Sequence, residues 1–292
     1  KNRPMQSAFI NLPTIRLHYL DSDNDSGSTA TTRPTLLLLH GLTANARMFE
    51  PLVDLLAPHY RLVAVDLRGR GLSDKPHTGY SMAEHAADVI GLMDALGLER
   101  CIACGHSFGG LLTIFLAAEY GERVERAIIL DAAGKLHPEV RRLIQPSLDR
   151  LGKVFPSLDD YLSAMRSMAY LCGAWDDAYE TYFRAEALVH EDGTITARPQ
   201  ASNMAEAVDN ALGEDWYSRL TKVQAPALLL RAPEGYGTPG TPPVLLEADA
   251  RETASALAHC RYEEVAGNHA TMMFQPAVQS VAAALRRFID SE

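Results

Sequence analysis

A serine with glycine two residues to either side stands at Gly105-His106-Ser107-Phe108-Gly109, between the apolar run Cys101–Cys104 and a helical pattern over Ser107–Tyr120. A serine on so sharp a strand-to-helix turn presents its hydroxyl clear of both elements, and only glycines leave room for the neighbouring strand and helix. The helix N-terminus then points its partial positive charge at whatever the serine attacks. A hydroxyl is scarcely ionised at neutral pH, so a nucleophilic serine requires a base. Of the ten histidines, two follow strand-like runs: His269 in Gly267-Asn268-His269, ahead of the last helix, and His40 in His40-Gly41-Leu42. His106 adjoins Ser107, but its side chain must diverge from the serine's, which gives it a supporting role. His18, His59, His77, His85, His137, His190 and His259 fall at expected surface or insertion positions and read as solvated.

The cysteines offer a competing chemistry. Cys101 and Cys104 form a C-x-x-C, but no second ligand pair supports zinc. In a strand, residues three apart face opposite sides, so the pair reads as small apolar wall residues. We expect no metal and no cofactor. Composition narrows the partners further. The 292 residues are 47% hydrophobic and 22% charged, with 27 Lys and Arg against 37 Asp and Glu, a net charge of −10. An acidic chain without a basic cluster repels phosphate backbones and anionic lipid surfaces, which argues against nucleic-acid and membrane partners. No apolar run approaches the ~20 residues of a membrane span. The sequence opens without an apolar leader, from which we expect a cytoplasmic protein. Nothing in it argues for a particular oligomeric state.

These residues need elements to hold them. Ala8–Leu12 and Ile15–Leu20 read as a hairpin, and Asp21–Arg33 as a surface loop. Strand and helix then alternate: Thr35–Leu39, Asn45–Ala57, Arg61–Asp66, Met82–Leu96, Cys101–Cys104, Ser107–Tyr120 and Ala127–Leu130. Fully apolar strands alternating with helices imply a mostly parallel sheet covered on both faces. From Lys135 to Lys222 the rhythm gives way to helical, aromatic text that carries both tryptophans. It returns at Pro226–Arg231 and Arg261–Val265 and closes with a helix over Pro276–Ile289. We therefore expect an α/β core over 1–134 and 223–292, interrupted by a helical cap over 135–222.

His40-Gly41 after one strand, the run Asp66-Leu67-Arg68-Gly69-Arg70-Gly71-Leu72-Ser73 after the next, the turn at Ser107 and the final Gly-Asn-His together resemble the α/β-hydrolase superfamily. The resemblance runs from about residue 8 to the end and is weakest in the cap. It implies an eight-stranded, mostly parallel sheet flanked by helices. It also implies Ser107 as nucleophile, His269 as base then acid, and the backbone N–H groups of Leu42 and Phe108 as the oxyanion hole. The Asp66–Ser73 run reads as a turn in which Gly69 and Gly71 relieve crowding. A serine nucleophile sets the chain apart from the dehalogenases and epoxide hydrolases of the fold, which attack with aspartate.

The acid that orients His269 is open between two residues. Most of the superfamily carries it in a Gly-x-x-Asp after the strand that here ends at Arg231, yet this chain reads Ala232-Pro233-Glu234-Gly235. A minority place it one strand earlier, where Ile128-Ile129-Leu130-Asp131 lies 24 residues after Ser107. Asp131 is thus the expected acid and Glu234 the alternative. The resemblance leads us to expect hydrolysis of carboxylic esters or lactones of a small to medium, partly apolar molecule. An amide or carbon–carbon hydrolase, or a ligand receptor that keeps the triad, remains the alternative. The carbon–carbon hydrolases usually carry Asn at the position of His106. For the pocket, large apolar side chains and the motif histidines suggest His40, Met48, Phe49, His106, Trp175, Trp216, Met272 and Met273.

Overall fold

The computed structural model describes residues 5–23, 33–135 and 139–291. Its strands and helices follow the pattern of apolar runs. A hairpin of β1 (Gln6–Asn11) and β2 (Arg16–Asp21) leads into β3 (Thr35–Leu39), whose five residues are all buried. A short 3₁₀ turn runs into α1 (Glu50–Leu56), followed by β4 (Arg61–Val65) and α2 (Met82–Ala95). Ser81 caps α2, accepting from the Glu84 N–H while the Glu84 carboxylate accepts from the Ser81 N–H. Next come β5 (Cys101–His106), α3 (Phe108–Glu119) and β6 (Val124–Leu130). Two more strands, β9 (Ala227–Arg231) and β10 (Cys260–Glu264), with α9 (Glu247–Ala256) and α10 (Val278–Ile289), complete this part of the molecule. The eight strands lie in the order β1-β2-β4-β3-β5-β6-β9-β10, parallel from β4 to β10 and antiparallel through the first hairpin.

The chain leaves the sheet between β6 and β9. There it forms α4 (Val140–Asp149), α5 (Leu158–Arg166), α6 (Asp177–Glu186), α7 (Ala201–Gly213) and α8 (Trp216–Lys222). It also forms a small antiparallel pair, β7 (Ala187–Val189) with β8 (Ile195–Ala197), where the sequence reads as helical throughout. Strands of three residues are too short to show a period of two, and this hairpin turns on Asp192-Gly193 rather than on an apolar alternation.

Strand faces divide the core. Leu36, Leu38, Ile102, Cys104, Ile128 and Leu130 pack under α1 and α10, whereas Leu37, Leu39, Ala103, Ala127 and Ile129 pack under α2 and α3. Cys101 and Cys104 are buried free thiols on opposite sides of the sheet, as two strand residues three apart must be.

Candidate active site

Strand register assembles the site at the carboxyl edge of the sheet. Leu39 of β3 pairs with Gly105 of β5, His106 of β5 with Leu130 of β6, and Leu130 with Leu230 of β9. The residues that follow these ends are therefore neighbours: His40-Gly41-Leu42, Ser107 and Asp131. The crevice outside the carboxyl ends of such strands is where α/β sheets bind ligands.

Ser107 has φ 54° and ψ −117°, a conformation that costs an ordinary residue about 1–3 kcal/mol. Its flanking glycines are sterically required. A Cβ on Gly105 would lie 1.9 Å from the Gly109 carbonyl oxygen, and one on Gly109 would lie 2.0 Å from the Leu39 carbonyl oxygen. Asp131 also has a positive φ, 50°, and its N–H donates to the Leu230 carbonyl.

His269 stands between the two, buried at 7% exposure. Its Nδ1 is 2.6 Å from Asp131 Oδ2 and its Nε2 is 2.9 Å from Ser107 Oγ. A carboxylate only accepts, so Nδ1 carries the proton and Nε2 turns its lone pair to the serine hydroxyl. The other Asp131 oxygen, Oδ1, accepts the Ala232 N–H at 2.9 Å, so both oxygens are engaged. Glu234 is exposed and reaches elsewhere: its Oε1 accepts the Gly267 N–H at 3.2 Å. The structure thus sets Asp131, and not Glu234, against the histidine. The reason is geometric, because β9 runs on into Ala232, whose N–H holds the Asp131 carboxylate in place.

Leu42 lies just beyond β3 and Phe108 is the first residue of α3, and both line the space in front of Ser107. Among the described residues no hydrogen bond takes up either N–H. Arg70 braces this corner. It is fully buried, its Nε donates to the Leu42 carbonyl at 2.7 Å, and its guanidinium lies 5.1 Å from the Phe108 ring centre. It has no carboxylate partner among the described residues, and burial pulls its pKa down to about 9. Gly69 and Gly71 have positive φ, and a Cβ on Gly71 would fall on the Asp66 carboxylate. That carboxylate accepts from the Ala46 and Leu72 N–H groups and from His18, which ties the loop down.

Two histidines expected to be solvated are in fact buried. His18 bonds Asp66 through Nδ1 at 2.7 Å, and His85 Nε2 accepts from Arg70 at 2.8 Å. Both partners are distant in sequence. His59, His77, His190 and His259 are exposed, and His137 lies outside the described residues.

The cavity above Ser107 has two lobes of about 90 Å³ each, which share Leu42, Ser107, Ile144 and His269. One lobe is apolar, walled by Leu111, Val140, Val208, Leu212 and Val244. The other is rich in hydroxyls and aromatic rings and includes Met48, His106, Arg150, Tyr170, Tyr182 and Tyr236. Of the expected pocket residues, Met48 and His106 therefore reach the cavity. His106 donates from Nε2 to the His269 carbonyl, and burial holds its pKa well below the ordinary value.

The other six do not reach it, each for a packing reason. His40 is a loop brace: Nε2 accepts the Leu67 N–H, Nδ1 donates to the Gly41 carbonyl, and burial lowers its pKa to about 4. Phe49, Met272 and Met273 are fully buried in the core beneath. Trp216 packs against Gly134 and donates to the Ala211 carbonyl. Trp175 stacks on Tyr179 and Phe183, which line a lobe, and does not itself line it. The aromatics that line the hydroxyl-rich lobe instead are Tyr170, Tyr179, Tyr182, Phe183, Tyr236 and Phe274. Ile144, Ser147 and Leu148 also line it, spaced as one face of α4. Among the described residues no three His, Cys, Asp or Glu side chains converge as metal ligands would, and no helix is long and apolar enough to cross a membrane.

Residues 34–202 match the family model of the alpha/beta hydrolase fold. The chain belongs to this family. It is 32% identical, over 68% of its length and 70% of the relative's, to a 2-(acetamidomethylene)succinate hydrolase of Mesorhizobium japonicum. A putative carbamate hydrolase of Caulobacter sp. is 28% identical over 70% of this chain and 74% of its own. Among solved structures, an E-2-(acetamidomethylene)succinate hydrolase superposes with TM-score 0.84 at 23% identity, covering 98% of this chain and all of that one. The enol-lactonase of Burkholderia xenovorans superposes at 0.69 and 22% identity, covering 97% and 100%. These relatives are hydrolases, and hydrolysis is the activity they support. At such identities the structural likenesses speak for the fold alone.

Proposed function

We propose that the protein hydrolyses a carboxylic ester or lactone of a small to medium molecule through an acyl-enzyme on Ser107. The hydrogen-bonded chain from Asp131 through His269 to Ser107, at the floor of a two-lobed cavity, is the observation that carries this reading. Ser107 Oγ attacks the carbonyl carbon while His269 Nε2 takes its proton, and Asp131 holds the imidazolium that forms. The oxyanion turns to the N–H groups of Leu42 and Phe108, fixed donors of the kind that contribute most to the rate of acyl transfer. Collapse expels the alcohol, which takes the proton from Nε2. Water then repeats the sequence on the acyl-enzyme and frees the acid.

The names of the relatives favour a second reading, in which the leaving group is the nitrogen of an amide or carbamate. The same residues perform it, with His269 protonating the departing nitrogen. A panel of matched esters, lactones, amides and carbamates separates the two by kcat/KM, with Ser107→Ala as control. Ser107→Ala should retain only the residual of about 10³–10⁴ over water that binding and the oxyanion hole supply. A serine-reactive phosphonate should label Ser107; labelling of another residue, with Ser107 untouched, would overturn the reading.

A further inference from the structure

The hydroxyl-rich lobe holds a charge that hydrolysis of a neutral ester does not require. In a chain of net charge −10, the acidic or basic side chain that lines that lobe among the described residues is an arginine, Arg150, only 2% exposed, and no described Asp or Glu lines it. Arg150 is held from behind. Its Nη1 donates to Glu186 Oε2, which also accepts from the Tyr161 hydroxyl, and neither Glu186 nor Tyr161 lines the lobe. Its Nη2 donates to Thr43 Oγ1 at 3.0 Å, and its buried Nε has no partner among the described residues.

The walls of the same lobe carry hydroxyls. Ser147 and Tyr236 join hydroxyls at 3.0 Å, Tyr170 and Tyr182 add theirs, and the buried Tyr179 hydroxyl has no partner among the described residues. Buried donors without acceptors are costly, and an apolar group placed here would leave them so. A planar carboxylate satisfies several at once, and arginine is the side chain best shaped to receive it.

We propose that this lobe is a carboxylate subsite, so that the substrate carries an anionic carboxyl group a few bonds from the carbonyl attacked by Ser107. The inference rests on the serine-hydrolase reading for the reaction, but not for the binding. The pairing with Glu186 makes the subsite neutral overall, and the other arm of the guanidinium reaches Thr43, which lines the lobe. A bound carboxylate would anchor the substrate on one side of Ser107 and leave the apolar lobe to its hydrocarbon part.

Two measurements test it. The first is binding of glutarate and of its neutral counterpart glutaramide to Ser107→Ala protein by calorimetry, which involves no turnover. Glutarate should bind about 10- to 100-fold more tightly, the range of a charge-assisted hydrogen-bonded pair. The Arg150→Met/Glu186→Gln double variant, which leaves no buried charge unpaired, should abolish that preference, and Arg150→Lys should restore part of it. The second compares p-nitrophenyl hemiglutarate with p-nitrophenyl valerate as substrates of the wild type, and the hemiglutarate should have the higher kcat/KM. Equal or weaker binding of glutarate by the Arg150-containing protein overturns the proposal, whether or not the double variant folds. A glutarate preference that survives in a folded double variant overturns it equally. If glutarate binds as expected while no ester is cleaved and Ser107 resists the phosphonate, the subsite stands and the hydrolytic reading falls.

Discussion

Replacing Asp131 by asparagine tests the proposed acid, because the structure leaves the amide no good arrangement. Both carboxylate oxygens are in use, Oδ2 with His269 Nδ1 at 2.6 Å and Oδ1 with the Ala232 N–H at 2.9 Å. Asparagine offers one acceptor for these two donors. If its carbonyl stays with Ala232, the amide N–H₂ faces Nδ1 and drives the imidazole proton to Nε2, where it cannot accept from Ser107. If the amide flips, a buried N–H of Ala232 meets another donor, which costs about 1–3 kcal/mol and holds the competent form to roughly one part in 5 to 150. That form also lacks the negative charge opposite the imidazolium. The two losses together should bring kcat down about 10⁴-fold, the scale seen when a triad carboxylate becomes an amide.

Folding should survive, since asparagine adopts positive φ as readily as aspartate does. The assay is kcat on an aliphatic ester, whose poor leaving group keeps proton transfer in the slow step, with the melting temperature measured beside it. Glu234→Gln is the control. It keeps an acceptor for the Gly267 N–H and should stay within a few-fold of wild type. A folded Asp131→Asn enzyme within tenfold of wild type, beside a crippled Glu234→Gln, would refute the reasoning and return the acid to Glu234.

Gly109→Ala should destabilise the fold by about 3 kcal/mol, because its Cβ would sit 2.0 Å from a backbone oxygen of the adjacent strand. Gly121→Ala, with nothing within 4 Å among the described residues, should be near neutral, and urea unfolding of the pair checks both. Stability should fall as pH drops from about 6.5 towards 4. Burial lowers His40 to about 4 and pushes His85 and His106 down as well, so the folded state binds fewer of these protons than the unfolded one. For His40 alone the gap approaches about 3 kcal/mol once both states are protonated, and a urea midpoint unchanged between pH 7 and 5 would contradict it.

What the sequence discloses and what it hides follow from how far apart the interacting partners lie. The turn at Ser107 is legible because its cause is local: glycines two residues away meet one another and the adjoining strand. Asp131 is legible through an absence, a missing aspartate after β9, and through its place at the end of an apolar strand. His18 and His85 are not, because burial of an imidazole depends on a partner, Asp66 or Arg70, that only the folded loop supplies. The tryptophans mislead for the opposite reason. Size predicts that they are buried and says nothing of which face they bury, so Trp216 packs against Gly134 and bonds the Ala211 carbonyl while tyrosines line the cavity. Arg150 is the sharpest case. In Val140-Arg141-Arg142-Leu143 through Arg150, three arginines share one segment, and two of them lie exposed against Glu139 and Asp209. Nothing in composition or spacing separates the third. What separates it is Glu186, 36 residues on at the end of α6, which pairs with the guanidinium in the interior and leaves its buried Nε without a partner among the described residues. A side chain of this kind takes its place from a pairing across the fold, so the run that carries Ser107 can be read along the chain while the buried pair of Arg150 and Glu186 cannot.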